Sequence, residues 1–180
     1  MKIIFLDIDG VLNTSETFIR RKEKYFKTGK YDLEIDLFRL EYLKQIIDET
    51  DAKIVLTSSW RSDFNKENNK IIPRTQKAVE LYYLFNQYGI EIYDITTKNN
   101  DLTREQQINM WLTDNEVDSF VILDDESSHL QSFIGKELIK TSKVKDGEIL
   151  MNMDDCLGLS PDDVEKAISI LNCKRKVLKK

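Results

Sequence analysis

Near the start of the 180-residue chain lies the segment Phe5-Leu6-Asp7-Ile8-Asp9-Gly10-Val11, in which an apolar run meets two carboxylates. The run from Lys2 to Ile8 is short and rich in β-branched side chains, a pattern typical of a buried strand. Gly10 permits a backbone turn that other residues disfavour, so we expect the strand to end there. Because Asp7 and Asp9 are two residues apart, an extended backbone would place both carboxylates on the same side.

Two later segments repeat this arrangement of an apolar run followed by polar side chains. They are Ile54-Val55-Leu56-Thr57-Ser58-Ser59-Trp60-Arg61 and Val121-Ile122-Leu123-Asp124-Asp125-Glu126. Strands that alternate with helices predict an α/β fold of three layers, a Rossmann-like parallel sheet with helices on both faces. Apolar spacing and capping residues predict helices at 36–50, 75–88, 103–112 and about 160–171, shorter strands at 90–93 and 138–140, and loops at 13–32 and 62–72.

The polar ends of these strands predict a metal site. In a parallel sheet the carboxyl ends of the strands meet at one edge, where ligands bind. That edge would gather the carboxylates of Asp7, Asp9, Asp124 and Asp125. Because close carboxylates repel one another unless a cation intervenes, an all-oxygen site of this kind indicates Mg²⁺. The hydroxyl-rich segment 57–59 would then bind phosphate oxygens through side chains and backbone N–H groups.

Each pattern alone also has an ordinary structural interpretation. Asp-x-Asp-Gly occurs in calcium loops and turns, segment 57–59 could be a polar strand end, and Asp124-Asp125 could cap a helix. Their succession after three predicted buried strands favours a single phosphate-handling site. In such a site one carboxylate of the Asp7/Asp9 pair would attack phosphorus, while the other would protonate the leaving oxygen and later deprotonate water.

Composition narrows the remaining classes of function. His129 is the only histidine, which argues against a histidine-based zinc site or a Ser-His-Asp triad. The net charge of −5 argues against broad coating of nucleic acid, although a basic flap at about residues 14–35 holds a net +4 between Thr14 and Tyr31. No apolar run reaches the roughly 20 residues of a membrane span, and the start lacks the long apolar middle of a secretory signal. We therefore expect one domain over residues 1–180, in the cytoplasm and away from membranes.

The three segments together resemble the haloacid dehalogenase (HAD) superfamily, in particular the HAD domain found in Swiss Army Knife RNA repair proteins. The resemblance is carried by residues 5–13, by Ser59-Trp60-Arg61, by residues 123–126 and by Gly158-Leu159 before an amphipathic helix. It covers almost the whole chain except residues 14–35 and 62–74.

The resemblance implies a role for each matching position. Asp7 would be the nucleophile and a magnesium ligand, and Asp9 would be the acid/base that also gives its carbonyl to the metal. Asp124 or Asp125 would complete the metal site, and the sequence leaves open which of them binds directly. The candidates for binding phosphate are Thr57 before Ser58, Arg104 at the start of a helix, and Arg61, which would alternatively form a surface salt bridge.

The resemblance also implies an activity, hydrolysis of phosphomonoesters through an aspartyl-phosphate with Mg²⁺. The short spacing between motifs implies a minimal cap and an open active site, which suits a nucleotide or an RNA or DNA end as the phosphorylated substrate. The aromatic residues Phe18, Tyr25, Phe26 and Tyr31 among the bases of the flap would stack bases, unless the flap is only a solvated loop. Two alternatives stand beside this hypothesis: a small-metabolite phosphatase whose flap is a lid, and a non-catalytic module that binds magnesium and phosphate or RNA.

Overall fold

A five-stranded sheet forms the centre of the protein, in a computed structural model that describes residues 1–30, 33, 35–141 and 157–173. Its strands are β1 (Lys2–Leu6), β2 (Lys53–Leu56), β5 (Ile92–Ile95), β6 (Ser119–Asp124) and β7 (Leu138–Lys140), while β3 (Phe64–Glu67) and β4 (Lys70–Pro73) form a separate hairpin. The order across the sheet is β5-β2-β1-β6-β7, and every neighbouring pair is parallel. The predicted parallel α/β sheet is therefore confirmed.

Helices lie on both faces of this sheet. They are α1 (Ser15–Thr28), α2 (Leu37–Thr50), α3 (Gln76–Gln87), α4 (Arg104–Asp114) and α5 (Pro161–Asn172). One apolar cluster joins the sheet to α2, α3 and α5, and a second cluster on the opposite face joins it to α4 and a short 3₁₀ helix at Gln131–Phe133. The three-layer arrangement is confirmed. None of the helices in the described ranges has both the length and the hydropathy to cross a bilayer.

The strand register sets the level at which the polar edge of the sheet begins. Leu6 pairs with Leu56 on one side and with Leu123 on the other, so β1, β2 and β6 reach the same level. All three leucines are completely buried in the cluster that faces α2. Burial of each such side chain stabilises the fold by about 1.5–3 kcal/mol relative to exposure. The three central strands are thus fixed in register by the core, immediately before their polar ends.

The prediction of a loop in the basic flap is wrong for residues 15–28, which form the helix α1. Thr14 caps this helix, and its hydroxyl accepts the N–H of Thr17 while the Thr17 hydroxyl accepts the N–H of Thr14. Gly29 ends it with a left-handed backbone, at φ 68°. The helix escaped detection because it buries only Thr17, so its apolar residues do not mark a core-facing stripe. Tyr31, counted with the flap aromatics, lies outside the described residues.

The loop predicted at 62–72 is also wrong. A 3₁₀ helix at Ser59–Asp63 is followed by the β3–β4 hairpin. The two residues at its turn, Asn68 and Asn69, both have positive φ angles of 50° and 60°. Asparagine tolerates this conformation, and a two-residue turn of this kind matches the twist of a hairpin. The Asn-Asn pair was therefore the available signal for the hairpin.

Candidate active site

The polar ends of β1, β2 and β6 form one cluster at the carboxyl edge of the sheet. The N–H of Asp7 donates to the carbonyl of Leu123 at 2.9 Å, and the N–H of Thr57 donates to the carbonyl of Leu6 at 2.9 Å. The parallel pairing therefore continues one step past the strands. Since side chains alternate between faces, the residues after the α2-facing leucines turn toward the opposite face, which α4 covers. Asp7, Thr57 and Asp124 consequently share the side of the sheet on which α4 lies.

The helix α4 places a guanidinium group between two of these carboxylates. Thr103 caps the helix in a reciprocal arrangement with Gln106, so that Arg104 is its first residue. The Arg104 Nη1 donates to Oδ2 of Asp7 at 3.0 Å and to Oδ2 of Asp124. Burial alone would lower the pKa of Arg104, but the charges of Asp7 and Asp124 outweigh it and raise that pKa above its ordinary value. The basic residue expected at this helix start is thus brought to the predicted nucleophile.

Three carboxyl groups, those of Asp7, Asp124 and Asp125, can each offer an oxygen within 4.8 Å of the others. Burial, and then the charge of Asp7, raises the pKa of Asp124 to about 7, although Arg104 opposes this. The same two causes raise the pKa of Asp125 to about 6. One guanidinium group therefore does not neutralise the cluster. Hard divalent cations prefer oxygen ligands, and a cation would supply the positive charge that these buried carboxyl groups lack around them. The three residues therefore fit such an ion.

Gly10 allows Asp125 to approach the loop that follows β1. Its φ is +73°, and a Cβ atom at this position would lie 2.5 Å from atoms of the Asp125 carboxyl group. Any other residue would both strain the backbone and displace that carboxyl group. Gly10 is therefore required both by the turn after β1 and by the close packing of Asp125, a candidate metal ligand.

The carboxylate of Asp9 lies outside the three-carboxylate cluster and is held by two neutral donors. Trp60 Nε1 donates to its Oδ2 at 2.9 Å, and Asn13 Nδ2 donates to its Oδ1 at 2.9 Å. Asn13 is oriented in turn because its Oδ1 accepts the N–H of Gly10 at 2.7 Å. The ammonium group of Lys77 sits 3.2 Å from the centre of the Trp60 ring. The Asp9 carboxylate is thus not among the three that meet, and a contribution of Asp9 to a metal would come from its carbonyl.

The hydroxyl groups predicted to bind phosphate are buried at the end of β2. Thr57 Oγ1 is shielded from solvent and has no hydrogen-bond partner among the described residues. Ser58 Oγ accepts the N–H of Trp60 at 3.4 Å. A buried hydroxyl without a partner is costly, so Thr57 is the stronger candidate for an incoming phosphate oxygen.

Arg61 is engaged mainly with the protein itself. Its Nη1 donates to the carbonyls of Thr57 and Ser58, both at 2.9 Å, and its Nε donates to the carbonyl of Thr97 at 3.2 Å. Its Nη2 donates to Oε1 of Gln107 at 3.0 Å. Burial, and then the nearby charge of Arg104, lowers the pKa of Arg61. With four of its five N–H donors used, Arg61 braces the backbone at the end of β2, and phosphate binding by its remaining donor stays a prediction.

Sequence reasoning missed two contributors to this site. Asn13 hydrogen bonds to Asp9 and Gln107 hydrogen bonds to Arg61. Gln107 lies 46 residues from its partner, and Asn13 reaches Asp9 only because the chain turns between them, so neither amide belongs to a pattern that the sequence displays. Trp60 is buried, at 5% exposure, and it also donates its indole N–H to Asp9. The only local signal for its second role was its place directly after the hydroxyl-rich segment.

Comparison with known proteins adds one finding. A family model described as the HAD domain in Swiss Army Knife RNA repair proteins matches residues 3–146. This range contains β2 to β7, all of β1 except Lys2, and every residue of the cluster described above. No curated protein and no solved structure matches the chain.

Proposed function

We propose that this protein is a magnesium-dependent phosphomonoester hydrolase that works through an aspartyl-phosphate. The chain belongs to the family of HAD domains found in Swiss Army Knife RNA repair proteins, and through it to the HAD superfamily. Domains of this superfamily are generally hydrolases of phosphate esters. The observation that carries the proposal is the contact of Arg104 with both Asp7 and Asp124. The hydroxyl of Thr57, at the end of the neighbouring strand, has no partner among the described residues, so a nucleophile, a phosphate-orienting cation and a hydroxyl donor lie at the same edge of the sheet.

The residues assigned to Mg²⁺ are Asp7, Asp124 and Asp125 through their side chains and Asp9 through its carbonyl. When bound, Mg²⁺ supplies positive charge that offsets the repulsion between an anionic nucleophile and an anionic substrate. The raised pKa values of Asp124 and Asp125 support this assignment, because a divalent cation would stabilise their charged forms.

The proposed reaction uses Asp7 as the nucleophile and Asp9 as the acid and base. An oxygen of Asp7 attacks phosphorus in line, and the bond from phosphorus to the leaving oxygen breaks as Asp9 gives that oxygen a proton. Asp9 then removes a proton from water, which attacks the aspartyl-phosphate and releases inorganic phosphate with Asp7 restored. Among the described residues each oxygen of Asp9 accepts one hydrogen bond, which leaves a lone pair on each to carry the transferred proton. Arg104 and Thr57 orient the phosphoryl oxygens throughout.

For the substrate class, we favour a phosphorylated nucleotide or the phosphorylated end of a nucleic acid. The family description refers to RNA repair proteins. Between β1 and α2 the described residues add only the exposed helix α1, which suits an open site with a minimal cap. A small-metabolite phosphatase would use α1 as a lid instead.

The test of the proposed function is a turnover screen with Mg²⁺ over aryl phosphate, mononucleotides, sugar phosphates and oligonucleotides phosphorylated at the 5′ or 3′ end. We expect release of inorganic phosphate, loss of release in EDTA, and recovery on addition of Mg²⁺. Preference for sugar phosphates would favour the metabolite phosphatase. Tight binding without turnover over the whole panel would refute the enzymatic proposal and favour a binding module.

The bond from Trp60 to Asp9 gives a further prediction about proton transfer. Trp60→Phe keeps an aromatic ring but removes the indole donor that orients Asp9. We expect kcat/KM for an alkyl phosphate to fall by about 10²-fold, since its leaving oxygen needs a proton, and kcat/KM for an aryl phosphate to fall much less. The measurement is the ratio of the two kcat/KM values.

Trp111→Phe is the matched control for this change. Trp111 is also buried and also donates its indole N–H to an aspartate, Asp94, at 2.9 Å. It belongs to the apolar cluster between the sheet and α4, and its indole partner is not Asp9. We expect this variant to leave the substrate ratio unchanged. An equal loss on both substrates in Trp60→Phe would mean that Trp60 only supports the fold.

A further inference from the structure

The helix α1, which follows the loop that carries Asp9 and Asn13, is largely exposed. Of its 14 residues only Thr17 is buried, whereas Phe18 and Phe26 are 41% and 75% exposed. Most helices of a folded protein gain their stability by packing an apolar stripe on a core. The rings of Phe18 and Phe26 are therefore largely open to solvent in the described part of the chain, which leaves them accessible to a ligand.

The charge of α1 is opposite to that of the rest of the protein. Residues 14–30 hold six basic and two acidic side chains, a net +4 in a chain of net −5, so the remainder carries −9. The side chains of Arg20 and Lys27 are 61% and 76% exposed and lie 3.9 Å from Glu16 and Glu23, a separation at which exposed ion pairs contribute little. An anionic partner would be repelled by most of the surface and attracted to this helix.

Basic and aromatic side chains are interleaved along the same helix. At 100° per residue, Phe18, Lys22, Tyr25 and Phe26 fall on one side, and the rings of Tyr25 and Phe26 meet edge to face with centroids 6.2 Å apart. An apolar protein partner or a lipid tail would bind a continuous apolar stripe, but Lys22 interrupts the stripe on this helix. Alternating rings and cations instead match a strand that offers both bases and phosphates.

The position of α1 connects this surface to the catalytic edge. The helix begins at Ser15, directly after the loop that carries Asp9 and Asn13, and the chain returns to the same loop where the N–H of Asp36 donates to the carbonyl of Leu12 at 2.8 Å. Its 14 residues span about 21 Å, the length of about six stacked nucleotides at 3.4 Å each. A strand whose end reaches Asp7 can therefore continue along α1.

We propose that α1 is the binding surface for a single-stranded nucleic acid whose terminal phosphate enters the Asp7 site. This inference rests on the proposed function for the fate of the phosphate, but the binding itself does not need turnover. Lys22, which lies between the rings, contacts the phosphodiester backbone, and the rings of Phe18 and Phe26 stack on bases. Arg20 and Lys27 lie on the opposite side of the helix and attract the strand through their charge.

The test measures binding of a fluorescent, end-phosphorylated 12-nucleotide single strand by anisotropy, in RNA and DNA versions and at several salt concentrations. The test variant carries Arg20→Gln, Lys22→Gln and Lys27→Gln. The control variant carries Lys70→Gln, Lys136→Gln and Lys166→Gln, three exposed lysines outside α1, and changes the net charge by the same amount. We expect the test variant to weaken binding at least about ten-fold and to lower the slope of log Kd against log salt by at least about 0.7, the value for one phosphate contact. The control variant should bind like the wild type.

A second variant, Phe18→Ala with Phe26→Ala, examines stacking. We expect it to weaken strand binding about ten-fold or more while the Kd for inorganic phosphate changes less than two-fold, with circular dichroism confirming that the helix remains. Equal weakening in the control lysine variant, absence of strand binding by the wild type, or a change in sedimentation mass that marks these rings as a protein interface would each overturn the inference. Strand binding in a protein with no phosphatase activity would uphold this surface and refute the proposed function, so the two failures are distinguishable.

Discussion

Asp7→Asn is expected to reduce kcat for an aryl phosphate by at least about 10³-fold, because the amide cannot form the aspartyl-phosphate. The protein should remain folded. Asp7 is one cause of the raised pKa of both Asp124 and Asp125, so its removal relieves repulsion in the cluster. The measurement is steady-state release of nitrophenol with saturating Mg²⁺, together with the melting temperature of the same sample.

Two controls make this result interpretable. Asp114→Asn changes an exposed aspartate near the end of α4 and should retain wild-type turnover. Mass spectrometry of the Asp7→Asn protein should confirm that the asparagine has not deamidated to aspartate. Turnover by an intact Asp7→Asn protein within a few-fold of the wild type would exclude Asp7 as the nucleophile.

The location of the site could be predicted because it depends on local patterns and one topological rule. Buried runs before Asp7, Thr57 and Asp124 identified the strands, and parallel strands bring their carboxyl ends together. Arg104 was found through the family resemblance, which implies a basic residue near a helix start, and the capping threonine just before it marked that start. Each of these inferences used residues that are adjacent in sequence.

The features that sequence reasoning missed depend on contacts between distant residues or on the absence of packing. Trp60 reaches Asp9 across 51 positions, and Arg61 reaches Gln107 across 46. No local period encodes such pairs. The helix α1 was missed for the converse reason, because periodicity detects a helix through the face that it buries, and α1 buries almost nothing.

Arg104 is the positive charge that contacts Asp7 and Asp124 in the carboxylate cluster, and Arg104→Met therefore gives the second large prediction. We expect kcat/KM to fall by about 10²–10³-fold even with saturating Mg²⁺, because the methionine cannot orient a phosphoryl oxygen. In EDTA at pH 8 we also expect the free energy of unfolding to fall by about 3 kcal/mol, since removal of one partner leaves buried carboxylates uncompensated. Arg74→Met, at an exposed arginine, is the matched control and should change neither quantity appreciably.

The pH dependence of this destabilisation distinguishes a charge effect from lost packing. The pKa of Asp124 is raised to about 7 in the folded protein, against about 3.9 in an unfolded chain, so the folded state binds the extra proton between these values. Stability associated with this group is therefore full below about pH 4 and is lost as the pH rises through about 7. Removal of Arg104 takes away a charge that lowers this pKa, so the loss should be small at pH 5 and large at pH 8, and Mg²⁺ should restore part of it at pH 8. Urea unfolding of both proteins at the two pH values, with EDTA or Mg²⁺, measures this directly. A loss that is equal at both pH values and unaffected by Mg²⁺ would show that Arg104 stabilises the protein by packing alone.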